Sequence, residues 1–354
     1  MNISVVGVNK FDIVSDEAIE IVDDVINCVL LNCVAILGII GNVLNVAVLA
    51  TQGMKDTTHV ILMSLSCVDL VYVVLIPIRR GRCIVAKFDV LLAQTYDAIL
   101  NVYLVVPVRL VSFVSSGHVV LISIERMIAV YFPFQVGHFF TVKITTGYLA
   151  AIYIFWTLLI GQFFNMFALV WVKDSNNNSL ALPGFSEPFY EYKEIFTFIN
   201  VYIVANLRGS VSLAIIILAS MATGIKLHIT SRKRLELTSS RSKPKIDLKA
   251  AKMLLTVCVV YLVLTIPTAI PTTMYFLDET FVVYQGQITG IYFVSEILVD
   301  FLYVVNSSVN FLIYVTMSRK FSRTYAKLSK QRLTQFHFKY RMGFQRREKG
   351  LYAN

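Results

Sequence analysis

The sequence VINCVLLNCVAILGIIGNVLNVAVLA, residues Val25–Ala50, contains no charged side chain. A helix rises about 1.5 Å per residue and the hydrocarbon core of a bilayer is about 30 Å thick, so about 20 apolar residues cross it. The stretch is longer than this minimum and is uninterrupted by charge. It therefore predicts a transmembrane helix.

Six further stretches share this apolar character and length. They run over Val60–Ile78, Ala98–Val130, Ile144–Val172, Ile195–Leu227, Ala250–Leu277 and Ile288–Met317. The chain of 354 residues is 56% hydrophobic, above the roughly 45–50% of soluble domains. The predicted fold is an all-α membrane protein, a seven-transmembrane helix bundle over residues 25–317. The odd number of spans places the two termini on opposite sides of the membrane.

Charge is distributed unevenly along the chain. Residues 1–24 are acidic, whereas the segments after the fifth and seventh stretches are basic. The basic residues are Arg232, Lys233, Arg234, Arg241, Lys243 and Lys245, then Arg319, Lys320, Arg323, Lys327, Lys330 and Arg332. Lys and Arg beside membrane spans mark the cytoplasmic side. We therefore expect a plasma-membrane protein with residues 1–24 extracellular and 318–354 cytoplasmic, and glycosylation at the sequons of Asn2 and Asn177.

Polar side chains inside the apolar stretches form one predicted network. Its members are Asn42 in the first stretch, Asp69 in the second, Ser115 in the third, and Asn306, Ser307 and Asn310 in the seventh. Hydroxyl and amide groups serve a buried carboxylate as hydrogen-bond partners, and their oxygens also suit a small cation such as sodium. The network fits either a sodium site or an interhelical polar clamp, and the two are compatible. No other cofactor is expected.

A second group of charges lies farther outward in the bundle. Arg109 precedes Arg126 by 17 residues, about 25 Å along a helix. Arg208 lies in the fifth stretch, and Glu296 and Asp300 lie one turn apart in the seventh. These residues predict either ligand contacts or an internal ion pair, such as Arg109 with Asp300 or Glu296, because buried charges usually pair. Arg109 favours an anionic ligand, since guanidinium binds carboxylates with two hydrogen bonds.

Four basic residues also cluster at the outer end of the second stretch: Arg79, Arg80, Arg82 and Lys87. Two roles fit this cluster: it attracts an acidic ligand, or it attracts the acidic N-terminal segment.

The five cysteines predict no disulfide framework. Four lie in apolar stretches as small apolar side chains (Cys28, Cys33, Cys67 and Cys258), and Cys83 alone lies near the outer surface.

Several short motifs occur, each once, in a definite order along the seven stretches. They are Gly41-Asn42, Leu65-Ser66-Cys67-Val68-Asp69-Leu70, Glu125-Arg126-Met127, Trp156, Leu264-Thr265-Ile266-Pro267 and Asn310-Phe311-Leu312-Ile313-Tyr314. Over roughly residues 25–330 the chain resembles the rhodopsin-like (class A) G-protein-coupled receptors. Within that resemblance, Glu125-Arg126-Met127 is a variant of the family's Asp-Arg-Tyr motif, and Asn310–Tyr314 is a variant of Asn-Pro-x-x-Tyr.

The resemblance implies a receptor that binds an extracellular ligand and activates a heterotrimeric G protein. It implies that coupling depends on Glu125, Arg126, Tyr261, Pro267, Asn310 and Tyr314. Pro267 permits a bend in the sixth span. Phe321, Tyr325 and Leu328 recur at helical spacing among basic residues, which predicts a short amphipathic helix on the membrane lipid after the seventh span.

A narrower resemblance concerns Gln52–Thr58 and Ser307–Tyr314, which are similar to invertebrate FMRFamide-type peptide receptors and to molluscan orphan and chemosensory receptors. It implies a peptide or a small anionic chemosensory cue as the ligand. The chain also departs from the family. Asn101 stands where the family has a Cys at the outer end of span three, residues 171–195 contain no Cys, Phe311 replaces a Pro, and the fifth stretch contains no Pro.

The alternative function is a membrane transporter or channel. The odd number of spans and the lack of an inverted repeat favour a receptor. No H-E-x-x-H spacing and no activated nucleophile occur in the sequence, so an enzyme is not expected. The expected partners are a heterotrimeric G protein, an extracellular ligand and membrane lipids, without nucleic acid.

Overall fold

The structure, a computed structural model, describes residues 14–173, 177, 179–236, 248–277, 283–284 and 287–330. The basic residues at 241–245, Arg332 and the sequon residue Asn2 lie outside the described residues. Seven helical segments of the described part are long and apolar enough to cross a membrane. They are Glu17–Gln52, Thr57–Ala86, Val90–Tyr131, Val142–Asn165, Lys193–Arg232, Lys249–Pro271 and Gly290–Met317, here called spans one to seven. The predicted seven-helix bundle is confirmed.

The first four spans are built from helical elements, of which only span three is a single continuous helix. Their elements are Asp16–Asp23, a π-helical turn Asp24–Leu30, Leu31–Gln52, Thr57–Arg79, Arg82–Ala86, Val90–Tyr131, Val136–Phe139, Val142–Gly161 and the 3₁₀ turn Gln162–Asn165. Gly53, with φ of 81°, ends span one, because glycine adopts the positive φ of a helix C-terminus without steric cost. Span three is the longest helix, and it contacts every other span except one and seven extensively.

The second half of the chain is more irregular. Its helical elements are Glu187–Glu191, Lys193–Thr197, the π-helical turns Phe198–Val204 and Leu207–Val211, Ser212–Glu236, Leu248–Thr265, the 3₁₀ turn Ile266–Thr268, Ala269–Leu277 and Gly290–Met317. A further helix covers residues 319–330. Span six breaks at Ile266–Thr268 because Pro267 has no backbone N–H and its ring clashes with the preceding turn.

Two short antiparallel hairpins join the spans. The first pairs β1 (Phe167–Lys173) with β2 (Ser179–Phe185), and the second pairs β3 (Val283–Tyr284) with β4 (Gln287–Ile288). Residues up to Val172 were predicted as part of the fourth helix, which was wrong. Their run of aromatic and β-branched side chains, Phe-Ala-Leu-Val-Trp-Val, suits a strand instead. The end of the bundle with β1 and β2 is here called the hairpin end, and the opposite end the Arg126 end.

A disulfide between Cys28 and Cys83 closes the hairpin end of spans one and two. The prediction of no disulfide was wrong, because the helix of span one begins at Asp16 and presents Cys28 to the short helix that contains Cys83. Beside it, Lys87 and Asp24 form an ion pair of 3.7 Å. The N-terminal helix also packs closely on span seven, since a Cβ atom on Gly290 would lie 2.6 Å from the Ile19 side chain.

Candidate functional site

Asp300 on span seven is the centre of a buried charged layer at the hairpin end. Its Oδ2 atom accepts a hydrogen bond of 3.2 Å from Arg79 and one of 2.7 Å from the Nε of Arg80. The predicted ion pair of Arg109 with Asp300 is wrong. Span two ends beside span seven, so its two terminal arginines occupy the carboxylate, and Arg109 is left exposed within electrostatic range of it.

Glu296 lies one helical turn from Asp300 toward the hairpin end and is half-buried. Among the described residues it forms no ion pair, so the alternative pairing of Arg109 with Glu296 is not present either. The charges predicted from the sequence as one ligand site thus divide into two groups. Asp300 is neutralised within the bundle, whereas Arg109 and Glu296 are left without an ionic partner in the described part of the chain.

Arg208 lies nearer the centre of the bundle, between two aromatic side chains. Its guanidinium carbon is 4.6 Å from the ring centroid of Phe113 on span three and 4.6 Å from that of Tyr303 on span seven. Both rings are buried, at 5% and 7% exposure. Arg208 belongs to the π-helical turn Leu207–Val211, and such turns change the direction in which side chains leave a helix. No described carboxylate pairs with Arg208.

A small polar cavity lies between this aromatic layer and Asp69. It has a volume of about 10 Å³, close to the space of one water molecule. Its walls are Tyr72, Ser112, Ser115, Tyr261, Tyr303, Asn306 and Ser307. The hydroxyl of Tyr261 donates a 2.7 Å hydrogen bond to Ser116, which joins span six to span three.

Asp69 is fully buried and accepts three side-chain hydrogen bonds. Ser115 and Ser307 donate to its Oδ1 atom at 2.9 and 3.1 Å, and Asn310 donates to its Oδ2 atom at 2.7 Å. Asn42 instead donates to the backbone carbonyl of Ser307 at 2.8 Å. The structure therefore brings together spans one, two, three and seven around one carboxylate, with Asn306 on the wall of the adjacent cavity.

Glu125 and Arg126 form a closed cluster at the other end of span three. Arg126 pairs with Glu125 Oε1 at 2.8 Å and donates a 2.7 Å hydrogen bond to Thr58. Thr57 donates to the same Glu125 oxygen at 2.7 Å. The two threonines were not predicted as partners, although they stand at the start of span two where a helix terminus meets span three. Arg126 is held against span two in this arrangement.

A cavity of about 510 Å³ opens beside this cluster. Among its wall residues are Lys55 in the turn between spans one and two, Lys320 in the helix over residues 319–330, and, on spans two, three, six and seven, His59, Arg126, Met253 and Tyr314. Three of these side chains are cationic, and the others provide apolar and aromatic surface. The cavity therefore offers a groove into which a helical segment of a partner protein could fit.

The family model described as 7 transmembrane receptor (rhodopsin family) matches residues 41–314. This chain belongs to the rhodopsin family of seven-transmembrane receptors. It is accordingly a multi-pass membrane receptor and not an enzyme, and the family binds extracellular ligands and signals through G proteins. A comparison with individually curated proteins gave no match. The narrower resemblance to invertebrate peptide and chemosensory receptors stays a prediction.

This rhodopsin-family receptor uses Phe311, which replaces a Pro of the family motif, to hold the helix over residues 319–330. The Phe311 ring lies 6.1 Å from Phe321 and 5.5 Å from Tyr325, and Tyr314 lies 5.7 Å from Phe321. Phe321 is buried at 3% exposure. The helix predicted after span seven as amphipathic therefore packs its apolar face on span seven.

The receptor holds its β1–β2 hairpin without the family's usual disulfide to span three, because Asn101 stands at the expected position of the cysteine in that span. A ladder of five phenylalanines connects the end of span four, the hairpin and span five: Phe163, Phe196, Phe189, Phe185 and Phe167. Successive ring centroids lie 4.2–6.1 Å apart. Ser186 adds a hydrogen bond to the carbonyl of Asn165. The sequence shows many aromatic residues here, but no periodicity that distinguishes a ladder from ordinary packing.

Proposed function

We propose that this receptor lies in the plasma membrane with its hairpin end outside, binds a peptide or small anionic chemosensory ligand there, and activates a heterotrimeric G protein at its Arg126 end. One observation carries the ligand class. Arg208 lies between two buried aromatic rings without a carboxylate partner among the described residues, and the exposed Arg109 has none there either. A cation left unpaired in low dielectric is costly, and an anionic ligand would neutralise it.

The absence of acidic groups on span three supports the same conclusion. Between Asp97 and Glu125 that span contains no Asp or Glu. A cationic amine would therefore meet no counter-ion halfway along it, and it would be repelled by Arg109. An anion would be attracted by both arginines, because Arg109 is one turn from Phe113 on the same helix and Arg208 lies over that ring.

The orientation of the receptor rests on its charges and on Asn177. Residues beside the Arg126 end are rich in Lys and Arg, which favours the cytoplasmic side. Asn177 is exposed and lies between strands β1 and β2, which makes it a suitable position for a glycan. Removal of N-linked glycans should lower the apparent mass of the cell-expressed receptor, and part of that shift should be lost in Asn177→Gln.

Activation would be a shift in population between two conformations of the bundle, one with the cavity beside Arg126 narrow and one with it wide. Tyr303, which contacts Arg208, also hydrogen-bonds Thr268 at 3.1 Å. Thr268 follows Pro267 directly in the 3₁₀ turn of span six. A ligand that moves Arg208 would therefore act on the bend of span six, and the outward movement of that span would widen the cavity beside Arg126.

Sodium fits the Asp69 network as an inhibitor of this shift. The hydroxyls of Ser115 and Ser307 lie on the wall of a cavity large enough for one small ion and are hydrogen-bonded to the Asp69 carboxylate, so all three residues offer oxygen ligands. These residues would hold the ion, which would neutralise the buried carboxylate. Without the ion, the three hydrogen bonds to Asp69 still clamp spans two, three and seven.

A ligand screen tests the proposal. Cells that express the receptor should respond to anionic small molecules or acidic peptides, and much less to cationic amines, when several G-protein outputs are recorded in parallel. Receptor with Arg126→Ala, expressed at the same surface level, should show an altered response. Activation by cationic amines in preference to anions would contradict the proposed ligand class.

A further inference from the structure

We infer that the ligand is a small organic acid whose carboxylate binds Arg208, in the space bordered by Phe113 and Tyr303. This inference rests on the proposed function, since it names the chemical class of the ligand and the residue that binds it. Among the classes left open above, it selects a small carboxylic acid over a peptide with an amidated terminus. A terminal amide is neutral and has no pair of anionic oxygens for a guanidinium.

The Arg208 side chain has the properties of an anion site that is partly built. Phe113 and Tyr303 interact with its positive charge, each at 4.6 Å, but an aromatic ring leaves the N–H donors of a guanidinium without a hydrogen-bond acceptor. No described residue accepts a hydrogen bond from Arg208. A carboxylate matches two of those donors at once, because its two oxygens have the spacing of the guanidinium fork.

The other arginines of the region lack this combination. Arg79 and Arg80 are both bound to Asp300, at 3.2 and 2.7 Å, so their charge is already compensated. Arg109 has no partner, but it is exposed and no aromatic ring borders it in the described structure. Arg109 therefore suits the attraction of an anion toward the bundle, whereas Arg208 suits its binding.

The space around Arg208 limits the size of the ligand. The cavity on its far side, toward Asp69, holds only about 10 Å³. A carboxylate at Arg208 would therefore be the innermost group of the ligand, and the remainder would extend away from Asp69, toward the hairpin end. The buried rings of Phe113 and Tyr303 would contact the first carbon atoms, which favours an apolar chain or ring over a polar one.

Binding should be measured on the purified full-length receptor by its thermal stability. The probes are the straight-chain carboxylates from acetate to decanoate and benzoate, each beside its primary amide as a neutral analogue of the same shape. Variants Arg208→Met and Arg208→Lys remove the charge and the fork respectively, and Arg109→Gln is the matched control. At least one acid should raise the melting temperature where its amide does not.

We expect Arg208→Met to lower the affinity for that acid by about tenfold to a hundredfold, which is the range expected when a charge-assisted hydrogen-bond pair is lost. Arg208→Lys should keep part of the affinity, and Arg109→Gln should weaken it less than Arg208→Met. Four results would each overturn the inference: no acid stabilises the receptor, acids and amides act equally, the acid effect survives in Arg208→Met, or it depends on Arg109 alone. If Arg208→Met is too unstable to purify, Arg208→Lys takes its place. That variant should bind the acid more weakly than the wild-type receptor, and an unchanged affinity would overturn the inference.

Nucleotide exchange on G-protein α subunits, in the same preparations, separates this inference from the proposed function. Exchange without acid-specific binding would overturn the role of Arg208 and leave the receptor function intact. Acid binding without exchange on any α subunit would support the role of Arg208 and contradict the proposed coupling.

Discussion

Arg126 and its neighbour Glu125 form an ion pair of 2.8 Å at the end of span three, and Thr57 on span two donates to the same carboxylate oxygen at 2.7 Å. The Glu125 side chain is buried at 1% exposure, so these contacts are made out of water. They fasten Arg126 to span two, on the wall of the large cavity. The structure therefore shows Arg126, the residue proposed for coupling, restrained by these contacts.

Loss of this restraint should raise basal signalling. Glu125→Gln removes the anion, and Thr57→Val removes one donor with little change in shape. A charge-assisted hydrogen bond contributes about 1.5–3 kcal/mol, so its loss from the restrained state alone should raise the active population by roughly tenfold to a hundredfold. The measurement is nucleotide exchange without ligand, normalised to receptor amount. Thr146→Val is the control, because Thr146 bonds only the Val142 carbonyl of its own helix. Unchanged basal exchange in both variants would show that the cluster is not a restraint.

Sodium should stabilise the wild-type receptor through Asp69. The melting temperature of purified receptor should be higher in sodium chloride than in N-methylglucamine chloride of equal ionic strength. Asp69→Asn should abolish this difference, because a neutral amide supplies an oxygen but no negative charge to balance the buried cation. If the wild type shows no sodium dependence, the cation site is wrong and the hydrogen-bonded clamp alone accounts for the network.

The Cys28–Cys83 disulfide should stabilise the hairpin end of the bundle. Alkylation of denatured, unreduced receptor should modify Cys33, Cys67 and Cys258, whereas Cys28 and Cys83 should react only after reduction. Cys28→Ser should lower the melting temperature, by an amount that corresponds to roughly 2–4 kcal/mol. Cys33→Ser, a free cysteine on the same helix, should have little effect. Alkylation of Cys83 before reduction would contradict the pairing.

The phenylalanine ladder should hold the β1–β2 hairpin in place. Phe189 is buried between Phe185 and Phe196, at 4.2 and 6.1 Å between ring centroids. Phe189→Ala should lower stability by about 3–5 kcal/mol through lost packing, and it should speed hydrogen exchange of the hairpin amides. Phe198→Ala is the control, since that ring is 55% exposed. Equal exchange rates in both variants would mean that the hairpin is held by other contacts.

The sequence was sufficient to predict the bundle and the set of polar residues in its centre. Apolar length fixes the number of spans, and Asp69 can be satisfied only by polar groups on neighbouring helices, of which there are few. The sequence was insufficient to identify which arginine pairs with Asp300. Whether Arg79, Arg80 or Arg109 reaches that carboxylate depends on where span two ends relative to span seven, which no pattern in one chain records.

Local irregularities account for the other differences. The disulfide depends on a helix that begins at Asp16, within a segment too acidic to be predicted as part of span one. The strand β1 was predicted as helix, because an apolar run near a membrane span suits either structure until its partner strand is known. The π-helical turn around Arg208 has no recognised sequence pattern, yet it directs that side chain between Phe113 and Tyr303.

Nucleotide exchange on purified G-protein α subunits by the reconstituted receptor tests the central claim most directly. Wild-type receptor should accelerate exchange on at least one α subunit, an anionic agonist should increase that rate, and Arg126→Ala should change it while leaving agonist binding in place. Well-folded receptor that binds an anionic agonist and yet accelerates exchange on no α subunit, or an Arg126→Ala variant with an unchanged rate, would contradict the account.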